Sequence, residues 1–336
     1  MSIFEYASSV LFDYQNYVRS FFNMDDERIS QLVERELFAN EALWPEALVQ
    51  LNPPYALGAS VDELCRQGKL HPACADIFCD DNGHPFTLYY HQEAAIECAL
   101  RREPYVVTSG TGSGKTLTYF IPIFDAVLRA NPAEARVRAI IVYPMNALVN
   151  SQHNALQELK ERYERRTGQP LPVRFAKYTG QEKEPERLEI LDAPPHILLT
   201  NYMMLELILV RPRERHFVDR AVAGIDFLVF DELHTYRGRQ GADVALLIRR
   251  LRQRCGNPNL ICIGTSATMV SGEEMGAGER RQAVADFASK IFGVTVPPEN
   301  VIEERFRPLA TLISVDAQAL RAAVQSPLPE RVEELR

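Results

Sequence analysis

The chain has 336 residues, of which 46% are hydrophobic and 24% charged, and its formal net charge is −8. This is the composition of an ordinary soluble globular protein with one large or two medium domains, and the negative charge argues against a surface that binds polyanions throughout. No apolar run approaches the ~20 residues that span a bilayer, no signal-peptide pattern opens the chain, and the six cysteines indicate reduced thiols, so we expect a cytoplasmic protein without membrane contact.

The charge is unevenly distributed. Residues 1–90 contain 5 basic and 14 acidic side chains, whereas residues 91–336 contain 32 and 31. The acidity therefore belongs to the N-terminal part, and the remainder is free to form local basic patches. Net charge alone does not exclude nucleic acid as a partner.

Residues 1–85 are predicted to form a helical accessory region. Apolar residues at helical spacing indicate helices within 3–22 and 26–42, and two prolines at 53 and 54 interrupt the pattern. Ser60 followed by Glu63 is typical of a capping box that opens a short helix.

A group of cysteines and histidines in this region raises the question of zinc. The group consists of Cys65, His71, Cys74, Cys79 and His84. Its spacing matches no zinc finger or ribbon, and it contains no Cys-x-x-Cys pair. We favour the interpretation that the cysteines are small buried apolar groups.

From residue 86 to 302 apolar strands alternate with amphipathic helices, which predicts an α/β domain with a mostly parallel sheet covered by helices on both faces. Strands are predicted at 105–108, 139–143, 173–177, 197–200, 227–230 and 260–264. Helices are predicted at 117–128, 147–166, 202–209, 242–254 and 279–292. Residues 303–336 form a separate C-terminal segment in this division.

Residues 109–116 read SGTGSGKT between a predicted strand and a predicted helix, which is the context of a phosphate-binding loop. Backbone amides of such a loop surround phosphates, Lys115 reaches the β- and γ-phosphates of ATP, and Thr116 holds Mg²⁺. The predicted nucleotide-binding residues of the loop are Thr111, Gly112, Ser113, Gly114, Lys115 and Thr116. Ser109 replaces the usual first glycine, and a small residue still fits that turn. The alternative, a glycine-rich surface loop, is disfavoured by the flanking strand and helix.

The sequence DELH follows the apolar strand at 227–230. Asp231 is predicted to hold Mg²⁺ through water, and Glu232 to deprotonate the water that attacks the γ-phosphate. Together with Lys115 these residues form the predicted catalytic set. The alternative, a solvated acidic turn, is disfavoured by the position of the pair downstream of a phosphate loop.

Two further motifs complete the predicted nucleotide site. Ser266 and Thr268, in the sequence TSAT at a strand end, are predicted to bond to His234 and to report phosphate state to the rest of the molecule. Upstream, the amide of Gln92 has the donor and acceptor needed to read an adenine edge, and a nearby tyrosine offers a ring for stacking.

In this order the motifs resemble those of superfamily 2 helicases of the DEAH type. Gln92, SGTGSGKT, YPMNALVNSQ, TNYMMLE, DELH and TSAT are similar to motifs Q, I, Ia, Ic, II and III. The run DELHTYRG followed by LIRRL resembles the MrfA/Hrq branch of DNA helicases more narrowly. Two positions depart from the family: Leu233 replaces a small residue of motif II, and Asn146 stands where motif Ia often has a basic residue.

The resemblance implies that residues 86–302 form the first RecA-like domain of such an enzyme. The second RecA-like domain supplies arginine fingers, and nothing after Ile302 is similar to it. We therefore expect that domain either in cis beyond Arg336 or on a partner chain. Alone, the chain is expected to have little activity.

The resemblance also implies where single-stranded nucleic acid binds. The matching positions are Pro144, Asn146, Thr179, Gly180, Thr200 and Asn201, whose short polar groups and amides suit phosphate contacts. Tyr236 would add a stacking ring and Arg237 a cation.

The expected function is that of an ATP-dependent DNA helicase or translocase module acting in DNA repair or anti-phage defence. Two other functions stay open. One is a nucleotide-gated scaffold that recruits partners with little catalysis. The other is an RNA helicase, because a preference for the 2′-hydroxyl cannot be inferred from these residues.

Overall fold

The computed structural model describes residues 3–22, 25–39, 53–110, 112–211, 223–267 and 276–307. The chain divides into two compact units, Met1–Asn52 and Pro53–Arg336. Thr111, Thr268 and most of the predicted C-terminal segment, residues 308–336, lie outside the described residues.

The first unit is helical in its described part, in agreement with the predicted helical segments. It contains α1 (Ile3–Arg19) and α2 (Glu27–Val33), and a π-helical stretch, Glu34–Ala39, continues α2. The carboxylate of Asp26 accepts hydrogen bonds from the amides of Arg28 and Ile29 and thereby caps α2.

The second unit contains two sheets and their covering helices. Its strands are β1 (Leu57–Ser60), β2 (Thr87–Tyr89), β3 (Tyr105–Thr108), β4 (Ala139–Tyr143), β5 (Phe175–Tyr178), β6 (Ile197–Asn201), β7 (Phe227–Phe230), β8 (Ile261–Ser266) and β9 (Val301–Glu303). Its helices are α3 (Val61–Arg66), α4 (Ala73–Ile77), α5 (Tyr90–Leu100), α6 (Leu117–Arg129), α7 (Asn146–Thr167), α8 (Glu184–Asp192), α9 (Tyr202–Val210), α10 (Gly238–Cys255) and α11 (Ala277–Phe292).

The large sheet has the strand order β5-β6-β4-β7-β8-β3-β9, and every neighbouring pair is parallel. Consequently the carboxyl ends of all seven strands meet at one edge, where ligands of open α/β sheets bind. Strands β7, β8 and β3, which lead into DELH, TSAT and the phosphate loop, are direct neighbours. The predicted α/β fold with a parallel sheet is confirmed.

Both faces of this sheet are buried because successive side chains of a strand point to opposite faces. Val107 and Ile141 belong to an apolar core on the side of α3–α7, whereas Val106 and Ile140 belong to a second core on the side of α8–α11. Because both faces of the sheet are covered, its strands are continuous apolar runs in the sequence.

The division between the two units lies at 52/53, whereas the sequence suggested 85/86. Residues 57–89 are integrated into the second unit: β1 pairs with β2, and Val61 and Leu64 are completely buried in the core that covers the sheet. Ser60 caps α3 through the amide of Glu63, as the capping-box pattern predicts. The role of residues 1–52 stays a prediction.

The cysteines in this stretch behave as apolar groups or weak donors. Cys74 and Cys79 are buried, and the thiol of Cys65 donates to the carbonyl oxygen of His71. Within the described ranges no three metal-binding side chains form a group that could hold an ion. Of the helices in those ranges, none is both long and apolar enough to cross a membrane.

Candidate nucleotide site and nucleic-acid edge

The phosphate loop joins β3 to α6 at the carboxyl edge of the sheet. Gly112 and Gly114 have φ values of +78° and +70°, a left-handed conformation in which a side chain would be strained. These two glycines let the backbone turn just ahead of the first turn of α6. That arrangement is suited to anions.

Lys115 and two serines hold the loop from within. The ammonium group of Lys115 donates to the carbonyl oxygens of Ser109 at 2.9 Å and Gly110 at 3.4 Å. The hydroxyls of Ser109 and Ser113 are 2.7 Å apart and close the base of the loop. Ser109, which departs from the usual glycine, therefore contributes a hydrogen bond that glycine cannot make.

Gln92 is buried under the loop, and both ends of its amide are used by the backbone. Its oxygen accepts from the amide of Tyr89 at 2.8 Å, and its nitrogen donates to the carbonyl oxygen of Gly114 at 2.9 Å. A Cβ at Gly114 would lie 2.5 Å from that nitrogen, so the close approach requires glycine here. In this geometry Gln92 positions the loop, and its reading of adenine stays a prediction.

His91 is a further support of the loop, and the sequence interpretation missed it. The ring is fully buried, and its Nε2 lies 2.9 Å from the carbonyl oxygen of Ser113. A carbonyl accepts, so Nε2 carries the proton, while Nδ1 makes no hydrogen bond with the residues that the structure describes. Burial lowers the pKa of His91, which is therefore a neutral donor. In the sequence, this supporting role of His91 was indicated by its position next to Gln92.

Asp231 and Glu232 stand at the carboxyl end of β7, as predicted. The amide of Asp231 donates to the carbonyl oxygen of Val142 and extends the pairing with β4. Glu232 has φ +52°, a left-handed conformation that is rare outside glycine and that clusters at functional sites. The chain thus turns sharply between the two carboxylates.

Thr265 is a second residue that the sequence interpretation missed, although it stands next to Ser266 in the TSAT motif. Its hydroxyl donates to the carboxylate of Asp231 and accepts from the amide of Glu232, at 3.3 Å for the latter. One side chain of β8 therefore fixes both motif residues of β7.

The charge of Asp231 is held in a largely buried environment. Burial raises the pKa of this carboxyl, the Thr265 hydrogen bond acts in the opposite direction, Glu232 raises the pKa further and Lys115 lowers it. These influences place Lys115, Asp231 and Glu232 within electrostatic reach of one another. A partly buried carboxylate is a suitable oxygen ligand for Mg²⁺, and a lysine ammonium group suits phosphate.

His234 links the motif on β7 to that on β8. Its Nδ1 lies 3.0 Å from the hydroxyl of Ser266 and 3.3 Å from Oε2 of Glu232. Oε2 of Glu232 is buried and makes no hydrogen bond with the described part of the chain, so we assign the His234 hydrogen bond to Ser266. The structure brings His234 and Ser266 together, and their coupling role stays a prediction.

The predicted nucleic-acid residues lie at the carboxyl ends of β4, β5 and β6, the other half of the same edge. Pro144 is half-buried in the turn between β4 and α7. Asn201 donates from its amide nitrogen to the side-chain oxygen of Asn146 at 2.6 Å, and its own oxygen caps α9 at the amide of Met204. The two asparagines thereby join β6 to the start of α7.

The amides at the end of β5 already have an acceptor. The carboxylate of Glu182 accepts from the amides of Thr179 and Gly180 at 2.9 and 2.8 Å, and from the hydroxyl of Thr179 at 2.6 Å. A phosphate at this position would replace a carboxylate that the chain itself supplies. Their role in phosphate binding stays a prediction.

The observed burial argues against two of the predicted contacts. Thr200 is completely buried, and its hydroxyl donates to the carbonyl oxygen of Tyr178. Tyr236 is also completely buried, with its ring 5.7 Å from that of Phe230, so it cannot stack on a base. The ring of Tyr236 packs into the apolar core behind β7 because the ring is large and lies next to the sheet. Arg237, the next residue, is exposed at the start of α10.

Comparisons with known proteins show the family of this chain. Residues 89–275 match the family described as DEAD/DEAH box helicase. Druantia protein DruE of Escherichia coli (strain UMEA 4076-1) is 27% identical over 79% of this chain and 20% of its own length. The uncharacterized ATP-dependent helicase YprA of Bacillus subtilis (strain 168) is 32% identical over 56% of this chain and 24% of its own length.

Solved structures share the fold. The DUF1998 helicase MrfA bound to DNA and AMPPNP has a TM-score of 0.58 at 24% identity, covering 77% of this chain and 33% of MrfA. The DEAD-box helicase Mss116 bound to ssRNA and UDP-BeF has a TM-score of 0.55 at 17% identity, covering 74% of this chain and 46% of Mss116.

The chain thus spans between a fifth and a half of the length of these proteins. The family match covers more than half of the chain and includes the phosphate loop and the Asp231–Glu232 pair. The chain therefore belongs to the DEAD/DEAH box helicase family.

Proposed function

We propose that the chain is the ATP-binding first RecA-like domain of a DNA helicase or translocase that couples ATP hydrolysis to movement on DNA. The observation that carries this proposal is the adjacency of β7, β8 and β3. Their carboxyl ends bring Asp231 and Glu232, Thr265, and the phosphate loop to one edge.

ATP binding would use groups that the loop already presents. The amides around Gly112 and Gly114 and the start of α6 receive the phosphates. Lys115 exchanges the carbonyl oxygens of Ser109 and Gly110 for phosphate oxygens, a stronger charge-assisted interaction.

Thr116 and Asp231 would hold Mg²⁺, which neutralises charge on the phosphates when bound. Glu232 would orient the attacking water and accept its proton at Oε2, the buried oxygen that makes no hydrogen bond within the described residues. Its unusual backbone conformation points to a position fixed for chemistry and not for stability.

Coupling between ATP hydrolysis and nucleic-acid binding would pass through the strands of the sheet. His234 and Ser266 connect the hydrolytic motif to β8, while β4 and β7 are direct neighbours, so Asn146 follows a strand adjacent to the one that ends in Asp231. We assign the edge formed by Pro144, Asn146, Asn201 and the turn at Thr179–Gly180 to DNA, with Arg237 as an additional cation. Of the two fold neighbours, MrfA is bound to DNA and Mss116 to ssRNA, so the experiment below compares both nucleic acids.

Efficient turnover would need a second RecA-like domain, in cis or on a partner chain. An arginine finger contributes roughly 10³–10⁵ in rate in related enzymes. The relatives exceed this chain severalfold in length, which leaves room for such a domain.

We propose a cytoplasmic protein acting in DNA repair or anti-phage defence, and the six free cysteines agree with a reducing compartment.

The test is phosphate release by the complete protein with single-stranded DNA, with RNA and without nucleic acid. The proposal expects stimulation by DNA above that by RNA, lost in Lys115→Ala. Equal or greater stimulation by RNA would replace DNA by RNA as the substrate. Tight ATP binding with negligible turnover under every condition would instead identify a nucleotide-gated scaffold.

A further inference from the structure

Two segments that border the ATPase unit pair with each other beside the phosphate loop. We call residues 54–56 and 304–307 the strap. The amide of Ala56 donates to the carbonyl oxygen of Arg305 at 2.7 Å, and the amide of Arg307 donates to that of Pro54 at 2.8 Å. Between these bonds Tyr55 faces Phe306 across an antiparallel bridge, and their rings stack with centroids 5.3 Å apart.

The strap touches the phosphate loop through one carboxylate. Oε2 of Glu304 accepts a hydrogen bond from the amide of Gly110 at 2.7 Å. A Cβ placed on Gly110 would lie 3.5 Å from Oε2 of Glu304 and equally far from the hydroxyl of Tyr55. Both side chains of the strap thus reach the first turn of the loop.

The backbone around Gly110 is consequently held from two sides. Glu304 binds the N–H of Gly110, whereas Lys115 binds its carbonyl oxygen and that of Ser109. When Lys115 turns to a phosphate, its hydrogen bonds to the two carbonyl oxygens are lost, whereas the hydrogen bond between Glu304 and the N–H of Gly110 remains. The bond to Glu304 would then limit how far the backbone of Ser109 and Gly110 can follow the phosphate.

The sheet explains why residue 304 and not its neighbour has this position. β9 runs parallel to β3 with Thr108 opposite Glu303, so the next residue on each strand, Glu304 and Ser109, emerges at the same level. Glu303 itself pairs with Arg281 at 3.5 Å. The two adjacent glutamates therefore form a natural comparison, one bonded to the loop and one paired with α11.

We infer that Glu304 is a positioning residue for nucleotide binding. Its hydrogen bond connects the phosphate loop to the strap, so that nucleotide binding at the loop is transmitted to residues 54–56 and 305–307. The inference rests on the proposed binding of ATP at this loop. A charge-assisted hydrogen bond to a backbone amide is strong enough for this task and is lost when either the charge or the acceptor is removed.

The experiment measures binding of fluorescent ADP with Mg²⁺ to the 336-residue chain and hydrogen exchange of the strap amides. Glu304→Ala should weaken binding about tenfold, and Glu304→Gln, which keeps a neutral acceptor, by about threefold. The matched control Glu303→Gln should bind as wild type. In wild type, ADP should change the exchange of the amides of Ala56 and Arg307, and in Glu304→Ala it should not.

Lys115→Ala separates this inference from the proposed function. If wild type binds, Lys115→Ala does not, and Glu304→Ala matches wild type in affinity and strap exchange, the role of Glu304 is refuted while the nucleotide site stands. If neither this chain nor the complete protein binds the nucleotide, both are refuted. Should Glu304→Ala not fold, judged by circular dichroism, Glu304→Gln decides: unchanged affinity together with an unchanged strap response would refute the inference.

Discussion

The hydroxyl of Thr265 donates a hydrogen bond to the carboxylate of Asp231 across the boundary between β8 and β7. The same hydroxyl accepts from the amide of Glu232 at 3.3 Å. A single side chain therefore sets the relative position of the two acidic groups, and the position of a catalytic group by a fraction of an ångström has large effects on rate.

The first prediction concerns this threonine. Thr265→Val keeps the shape of the side chain but removes both hydrogen bonds, and it should slow DNA-stimulated ATP hydrolysis by roughly 10- to 100-fold. Thr265→Ser keeps the hydroxyl and should stay within about threefold of wild type. Steady-state phosphate release from the complete protein measures both, and equal rates for valine and wild type would rule out the positioning role.

The second prediction separates binding from hydrolysis. Lys115→Ala removes the cation that neutralises the phosphates and should weaken ATP binding by at least about tenfold. Glu232→Gln keeps the size of the side chain and should leave binding within about threefold while lowering turnover roughly 10²–10⁴-fold. Fluorescent-nucleotide titration and phosphate release of the complete protein measure the two effects. Wild-type turnover by Glu232→Gln would remove Glu232 as the base.

The third prediction is a dependence of stability on pH. Burial lowers the pKa of His91 in the folded state, as it does for His153 and His196. Below about pH 6.5 the unfolded chain therefore binds protons that the folded chain does not, and stability falls as the pH decreases.

The melting temperature should accordingly drop between pH 7.5 and 5.5. His91→Gln, which can still donate to the carbonyl oxygen of Ser113, should make this drop smaller by on the order of 2 °C. Identical drops for His91→Gln and wild type would contradict the prediction.

The fourth prediction tests the burial of Tyr236. Its hydroxyl makes no hydrogen bond within the described residues, so Tyr236→Phe should leave the free energy of unfolding unchanged or raise it by up to about 1 kcal/mol. Tyr236→Ala should lower it by about 3–5 kcal/mol because a large cavity replaces the ring. Denaturant unfolding measures both. A severalfold loss of DNA affinity in Tyr236→Phe would show that the phenol reaches nucleic acid after all.

The fifth prediction concerns the division of the chain. Removal of residues 1–52 should leave a soluble protein with one cooperative thermal transition, because the second unit keeps its core. Removal of residues 1–85 deletes β1, α3 and α4 with buried residues such as Val61, Leu64 and Phe78, each worth roughly 1.5–3 kcal/mol. That loss is comparable to the total stability of a domain, so the shorter chain should aggregate.

Calorimetry and size-exclusion chromatography distinguish the two truncations. Equal stability of both would restore the boundary at 85/86. The function of residues 1–52, whose described helix α1 exposes aromatic rings at Tyr6, Tyr14 and Tyr17, is tested separately by partner capture with and without that segment.

The sequence by itself predicted six of the seven strands of the large sheet and the residues proposed for the nucleotide site. Strands β3, β4 and β7 begin and end where the apolar runs predict, and glycine spacing together with Lys115 identifies the loop. These features can be predicted from the sequence because each depends on a short local pattern. The patterns are an apolar run for a buried strand, glycines for left-handed turns, and a carboxylate at a strand end.

Tertiary structure alone decided which polar and aromatic groups face the edge and which face inward. Thr200 lies near the end of β6 and Tyr236 follows the DELH motif, close in sequence to the predicted site residues, yet packing on the sheet buries both completely. The bond from Glu304 to Gly110 joins residues 194 positions apart, and β9, only three residues long, acquires its pairing solely from its neighbour β3. Such contacts depend on which distant segments meet, and the free energy of burial that selects them is a property of the assembled core and not of any local stretch.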